Sequence, residues 1–128
     1  MKRPRTTPQD IEKFDNYVKL WQVRLTLQNW RIEKSDRTTK AIADMLIINE
    51  DRLATYAVGK NPGLPITDHM LEQTACHELL HIMLAEYKQA VESGSEEYIM
   101  SAEHSIITVL ENLLVPKVTN VCKSETDS

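Results

Sequence analysis

Residues 59–65, Gly59-Lys60-Asn61-Pro62-Gly63-Leu64-Pro65, hold two of the chain's three glycines and two of its five prolines. Neither helix nor strand runs through such a segment, because proline removes a backbone donor and glycine weakens both elements. The chain is therefore divided there. Upstream, apolar residues recur first at helical spacing and then in short runs. Downstream they recur at helical spacing alone.

Thr7-Pro8-Gln9-Asp10 reads as a helix start, with Thr7 as N-cap and proline at the first helical position. Ile11, Phe14, Val18, Trp21 and Leu25 carry the helix to about residue 26. Trp30 to Glu33 alternates as a half-buried strand, and Ala41 to Ile48 and Leu53 to Val58 are two further apolar runs. Asn49-Glu50-Asp51-Arg52 reads as the hairpin turn between the last two. Three antiparallel strands are the expectation. After the break, Thr67 or Asp68 caps a helix that runs to about Glu92 and ends at Ser93-Gly94. Ser93 or Ser95 then caps a last helix, with Glu96 and Glu97 in its first turn, which reaches Leu114 before Pro116. The fold class expected is α+β, as one domain over residues 1–116, with 117–128 a polar, flexible tail.

A chain of 128 residues with 41% apolar and 27% charged residues is a globular domain of ordinary composition. No apolar run approaches the ~18 residues of a membrane span. The basic Met1-Lys2-Arg3-Pro4-Arg5 is followed by polar residues rather than a secretory core, so cytoplasmic residence is expected. Cys76 and Cys122 are too few for a disulfide framework and are expected reduced, with Cys76 a small packing residue. The net charge of −4 argues against nucleic-acid binding. That average conceals a split. Residues 1–40 hold ten Lys and Arg against five acids, and residues 41–128 hold five against fourteen.

The chemistry is concentrated at His77-Glu78-Leu79-Leu80-His81, an H-E-x-x-H motif inside a segment that reads as helix on separate grounds. Four residues make slightly more than one turn, so both imidazoles leave one face and can close on one ion. Glu78 is rotated about 100° from His77 and can reach a metal-bound water without ligating the metal. A catalytic zinc needs a third protein ligand. Glu103, 22 residues beyond His81 on the last helix, is the expected one. The apolar stripe Ile99, Ile106 or Ile107, Leu110 and Leu114 places it on the core side, with His104 its rival near the edge.

H-E-x-x-H followed by a helical glutamate resembles the gluzincin pattern of zinc metallopeptidases. The run Glu103-His104-Ser105-Ile106-Ile107 through Leu113-Leu114-Val115-Pro116 is similar to the ImmA/IrrE-type peptidases, in which a ligand glutamate precedes a Leu-Leu-x-Pro ending. Leu20-Trp21 through Trp30-Arg31-Ile32 is similar to the helix-to-strand entry of small phage and prophage metallopeptidase-like proteins. The family's Ala-Asn pair after the glutamate is Ile106-Ile107 here, and no helix-turn-helix domain accompanies the motif.

The resemblance implies a minimal zincin-like fold and a cytoplasmic Zn²⁺ hydrolase. In it His77, His81 and Glu103 are ligands, Glu78 is the general base, and a peptide or protein is the substrate, added as a strand along Ala41 to Ile48 or Leu53 to Val58. His104, His69 and Tyr98 are open candidates for the oxyanion or for support of the ligands. Two other readings stand beside it: a zinc-stabilised, non-catalytic peptide- or protein-binding module of phage origin, and a DNA-associated regulator using the basic first forty residues. The Cys122 thiolate, on the tail, is a further candidate for zinc's open position.

Overall fold

The computed structural model describes residues 5–115. The element order is α1 (Pro8–Arg24), β1 (Arg31–Lys34), β2 (Ala43–Ile48), β3 (Leu53–Val58), α2 (Asp68–Ser93) and α3 (Glu96–Leu114), an α+β arrangement. Among the described residues no helix is long and apolar enough to cross a membrane. The tail and Cys122 lie outside the described residues.

Each helix begins where its capping residue dictates. Thr7 Oγ1 accepts from the Asp10 amide at 3.1 Å, and the Asp10 carboxylate accepts from the Thr7 amide at 2.9 Å, closing a capping box ahead of Pro8. Thr67 and Ser95 cap α2 and α3 more simply, each side-chain hydroxyl accepting from an amide, that of Met70 and that of Tyr98. Gly94, in the left-handed conformation at φ 73°, ends α2. α1 stops two residues short of the expected end because Thr26 turns left-handed at φ 60°. The Gln22 side-chain amide then donates to the carbonyls of Leu27 and Trp30 and pins the turn into β1.

The sheet departs from expectation in its strand order, which is β1-β3-β2. β2 and β3 form the expected antiparallel hairpin, with Ala43 opposite Val58 and Ile48 opposite Leu53. β1, however, runs parallel to β3, with Arg31 opposite Leu53 and Lys34 opposite Tyr56. The sheet is mixed, not antiparallel throughout. The cause is the connection between β1 and β2, which is long enough to pass over the end of β3, so the returning hairpin strand slots between the other two. Arg37 holds that connection down. Its guanidinium donates to Thr55 Oγ1 at 2.8 Å, to the Thr55 carbonyl at 3.2 Å and to Asp44 at 2.8 Å.

β3 is thus the central strand, and β2 is an edge. Ala54 and Tyr56 of β3, Ala43 of β2, Phe14 and Val18 of α1, and Leu71, Ala75, Leu79 and Ile82 of α2 form one core between the sheet and the two helices. Tyr56 donates to Asp15 at 2.6 Å from within that core, and Lys34 completes the pair at 3.1 Å. Arg52, left-handed in the hairpin turn, forms an ion pair with Glu86 and ties the hairpin to α2.

The inner line of α3 also corrects the expectation. Ile99, Ala102, Ile106, Val109 and Leu113 are its partly buried residues, whereas Leu110 and Leu114 are exposed. Ala102, Ile106 and Val109 share a small cavity with Leu25, Leu27 and Met83, so α3 packs on α2 and the end of α1. Glu103 is consequently exposed.

Candidate functional site

α2 buries Leu71, Ala75, Leu79 and Ile82. Helical geometry then turns His77 and His81, 40° apart around the axis at 100° per residue, away from the core. Both imidazoles are exposed, with ring centroids 5.0 Å apart and planes at 81°. Glu78 turns instead toward β2 and is half-buried. Burial pushes its carboxyl up; the two imidazoles oppose that shift and Asp44 adds to it.

A groove runs between α2 and the edge strand β2, with Glu78 on its floor. One stretch, of about 490 Å³, is lined by Ala41, Ile42, Leu64, Thr74, His77 and Glu78. The next, of about 710 Å³, is lined by Asp44, Asn49, Glu78, His81, Lys88 and Glu92, among others. On the opposite side of His77, Trp21, His69, Cys76 and Leu80 border a cleft of about 480 Å³ between α1 and α2. His77 therefore stands on the ridge between the two. Trp21 is fixed in that cleft by its indole N–H, which donates to Glu72 at 2.9 Å, and by Arg24 stacked 4.9 Å from its ring. Burial, and then Glu72, push the Cys76 thiol up, which suits an unreactive packing residue.

The other expected site residues are not gathered at the histidines. Among the described residues no three His, Cys, Asp or Glu side chains come together around one ion position. Glu103 is exposed on α3 and lines none of the three hollows beside His77 and His81. The reason is rotational. α3 packs at Met83 and Glu86, and Met83 lies about 200° around α2 from His81. His104 is exposed on the same helix, and Tyr98, in its first turn, donates to Gln89 at 3.4 Å. His69 alone of the three supporting candidates shares a cleft wall with His77.

Two imidazoles at i and i+4 fit two positions of a tetrahedral ion, but a catalytic zinc takes three protein ligands, and the residues gathered here do not complete that set.

Compared with protein-family models, with curated proteins and with solved structures, the chain gives no match.

Sequence reasoning missed Asp44 and Asn49, which wall the groove opposite α2. Asp44 had a signal: it is a lone charge inside the apolar run from Ala41 to Ile48. Its carboxyl is held below the usual range chiefly by the hydrogen bond from Arg37. Asn49 Oδ1 is a buried acceptor without a hydrogen-bond partner at the turn end of the groove.

Proposed function

We propose that this protein is a metal-dependent hydrolase of peptide bonds, of the gluzincin type that the H-E-x-x-H motif resembles. One observation carries the reading: a half-buried carboxylate, Glu78, on the floor of a groove walled by an open strand edge, adjoins two exposed imidazoles at the groove's rim. His77 and His81 would hold Zn²⁺, and Glu103 is the third ligand that the sequence implies. For Glu103 to serve, α3 has to present a different face to α2 from the one it packs here. Zinc, when bound, supplies Lewis acidity toward water and a carbonyl oxygen.

The chain's own residues do the rest. Glu78, whose burial favours its protonated form, is suited to accept a proton at its carboxylate and return it to a leaving amine. β2 lies at the sheet's edge and β3 at its centre, so the backbone of an extended peptide pairs with β2 and not with β3.

The alternative is a zinc-stabilised peptide-binding module of phage origin, favoured by the gathering of two ligands instead of three. Metal analysis of the purified protein with a peptide-library cleavage assay decides. The hydrolase requires about one zinc per chain, lost in His81→Ala, with cleavage lost but zinc kept in Glu78→Gln. Zinc binding and peptide binding without cleavage, both indifferent to Glu78→Gln, would establish the module instead.

A further inference from the structure

The apolar face of α3 is wider than the other described residues cover. No residue of this 19-residue helix is buried, although Ile99, Ala102, Ile106, Val109 and Leu113 face inward. A second line runs beside that one. Met100, Ile107, Leu110 and Leu114 are 67%, 47%, 39% and 77% exposed. With Glu103 they occupy positions 100, 103, 107, 110 and 114, the alternation of three and four residues that makes the seam of a two-helix coiled coil. The line lies about 100° around the helix from the inner one. It is a lateral face, separate from the surface that packs on α2.

We propose that this line is the interface of a homodimer in which the α3 helices of two copies pack antiparallel about a two-fold axis. The line is self-complementary. A two-fold axis between Thr108 and Val109 sets Ile107 against the partner's Leu110, Leu110 against the partner's Ile107, and Leu114 against the stem of the partner's Glu103. Self-complementarity selects a second copy as the occupant, and charge selects the direction. α3 carries Glu96, Glu97, Glu103 and Glu111 but no Lys or Arg. A parallel pair would stack Glu103 on Glu103 and gather both acidic first turns at one end. The antiparallel pair sends the first turns to opposite ends and brings His104, the helix's one group able to carry positive charge, level with the partner's Glu111. A lone polar residue at a seam position fixes register in this way at some loss of stability.

The helix is about 28 Å long, and two such lines bury an area near the low end of specific interfaces, about 1,200 Å² in total. The dimer therefore dissociates on dilution. This inference does not rest on the proposed hydrolase and competes with Glu103 as its third ligand, because a turn of α3 that brought Glu103 to the histidines would put this same line against α2.

Sedimentation equilibrium of the whole chain from low to several hundred micromolar tests it. A monomer–dimer equilibrium is expected. Ile107→Glu with Leu110→Glu abolishes it while far-UV circular dichroism stays unchanged, since both side chains are already exposed. Glu103→Leu, which completes the apolar line, tightens it by about tenfold or more. Direction is read in a Cys76→Ser, Cys122→Ser background: Ile107→Cys mixed with Leu110→Cys forms the mixed disulfide in preference to either symmetric one. A wild type monomeric throughout, a dimer indifferent to Ile107→Glu with Leu110→Glu, or preferential symmetric cross-linking would overturn the proposal.

Discussion

Gly59 and Ala41 meet backbone to backbone: a Cβ on Gly59 would stand 2.0 Å from the Ala41 carbonyl oxygen. The approach joins the end of β3 to the residues leading into β2, and the Gly59 amide donates to the Ile42 carbonyl at 2.8 Å. Thr6 closes the same corner by donating to the Gly59 carbonyl at 2.6 Å.

Gly59→Ala is therefore expected to destabilise the protein by about 1–3 kcal/mol or more, because backbone rather than a flexible side chain has to yield. Ala41 and Ile42 line the groove beside His77, so the same variant distorts that wall. Gly63 supplies the control. A Cβ there meets nothing within 4 Å, so Gly63→Ala bears only the strain of its φ of 82°, about 1 kcal/mol. Urea midpoints at neutral pH compare the two, and an equal loss in both would contradict the steric account.

The Arg37 clamp makes part of the stability acid-sensitive. Arg37 depresses the Asp44 carboxyl in the folded state, while the unfolded chain restores it to about 3.9. The folded value lies below the unfolded one, so this contribution is complete above that pH and is lost as pH falls through the folded value. Asp44→Asn removes it. The variant should be less stable at neutral pH and lose less further stability below about pH 4 than the wild type. Parallel acid limbs in denaturation curves of the two proteins would show that the pair contributes nothing.

Tyr56 has the opposite sign. Burial, and then the hydrogen bond to Asp15, raise its phenol above the ordinary value of about 10. Its contribution is complete below that pH and drains away as pH rises toward the folded value. Tyr56→Phe should lose about 1–3 kcal/mol at neutral pH, since the bond goes to a charged acceptor. The variant should also show a shallower alkaline limb. A Tyr56→Phe protein as stable as wild type, with the same limb, would place the bond's worth near zero.

Local chemistry was legible in the sequence wherever one residue decides one outcome. Thr7 and Gly94 each set a helix end, Thr67 and Ser95 were each one of two candidate caps, Asn49 to Arg52 turned the hairpin, and spacing alone put His77 and His81 on one face. What escaped depends on tertiary choice. β1 and β3 run parallel because the connection anchored by Arg37 passes over a strand, and nothing in the strand residues encodes that. On α3, two apolar lines satisfy helical periodicity about equally. Packing at Met83, Leu25 and Leu27 selects the one containing Ile106 and Val109, and that choice leaves Glu103 exposed. Asp44 was readable as an odd charge in an apolar run, but its tie to Arg37 was not.

Whether Glu103 is a zinc ligand can be settled by stability alone, without an activity assay. A ligand bound only by the folded state raises the unfolding free energy by about 2.7 kcal/mol at a free concentration of 100 Kd. On the proposed reading, titrating zinc into the chelator-treated protein should therefore raise the unfolding temperature of wild type and of Glu78→Gln alike, because Glu78 would stand beside the ion without ligating it. His81→Ala should abolish the rise. Glu103→Ala discriminates between the two placements of α3. If α3 turns to close the site, the variant loses most of the zinc-induced shift, because a third ligand is gone. If α3 keeps the packing at Met83 seen here, Glu103 stays in solvent, and the variant retains the full shift of a site held by His77 and His81 alone.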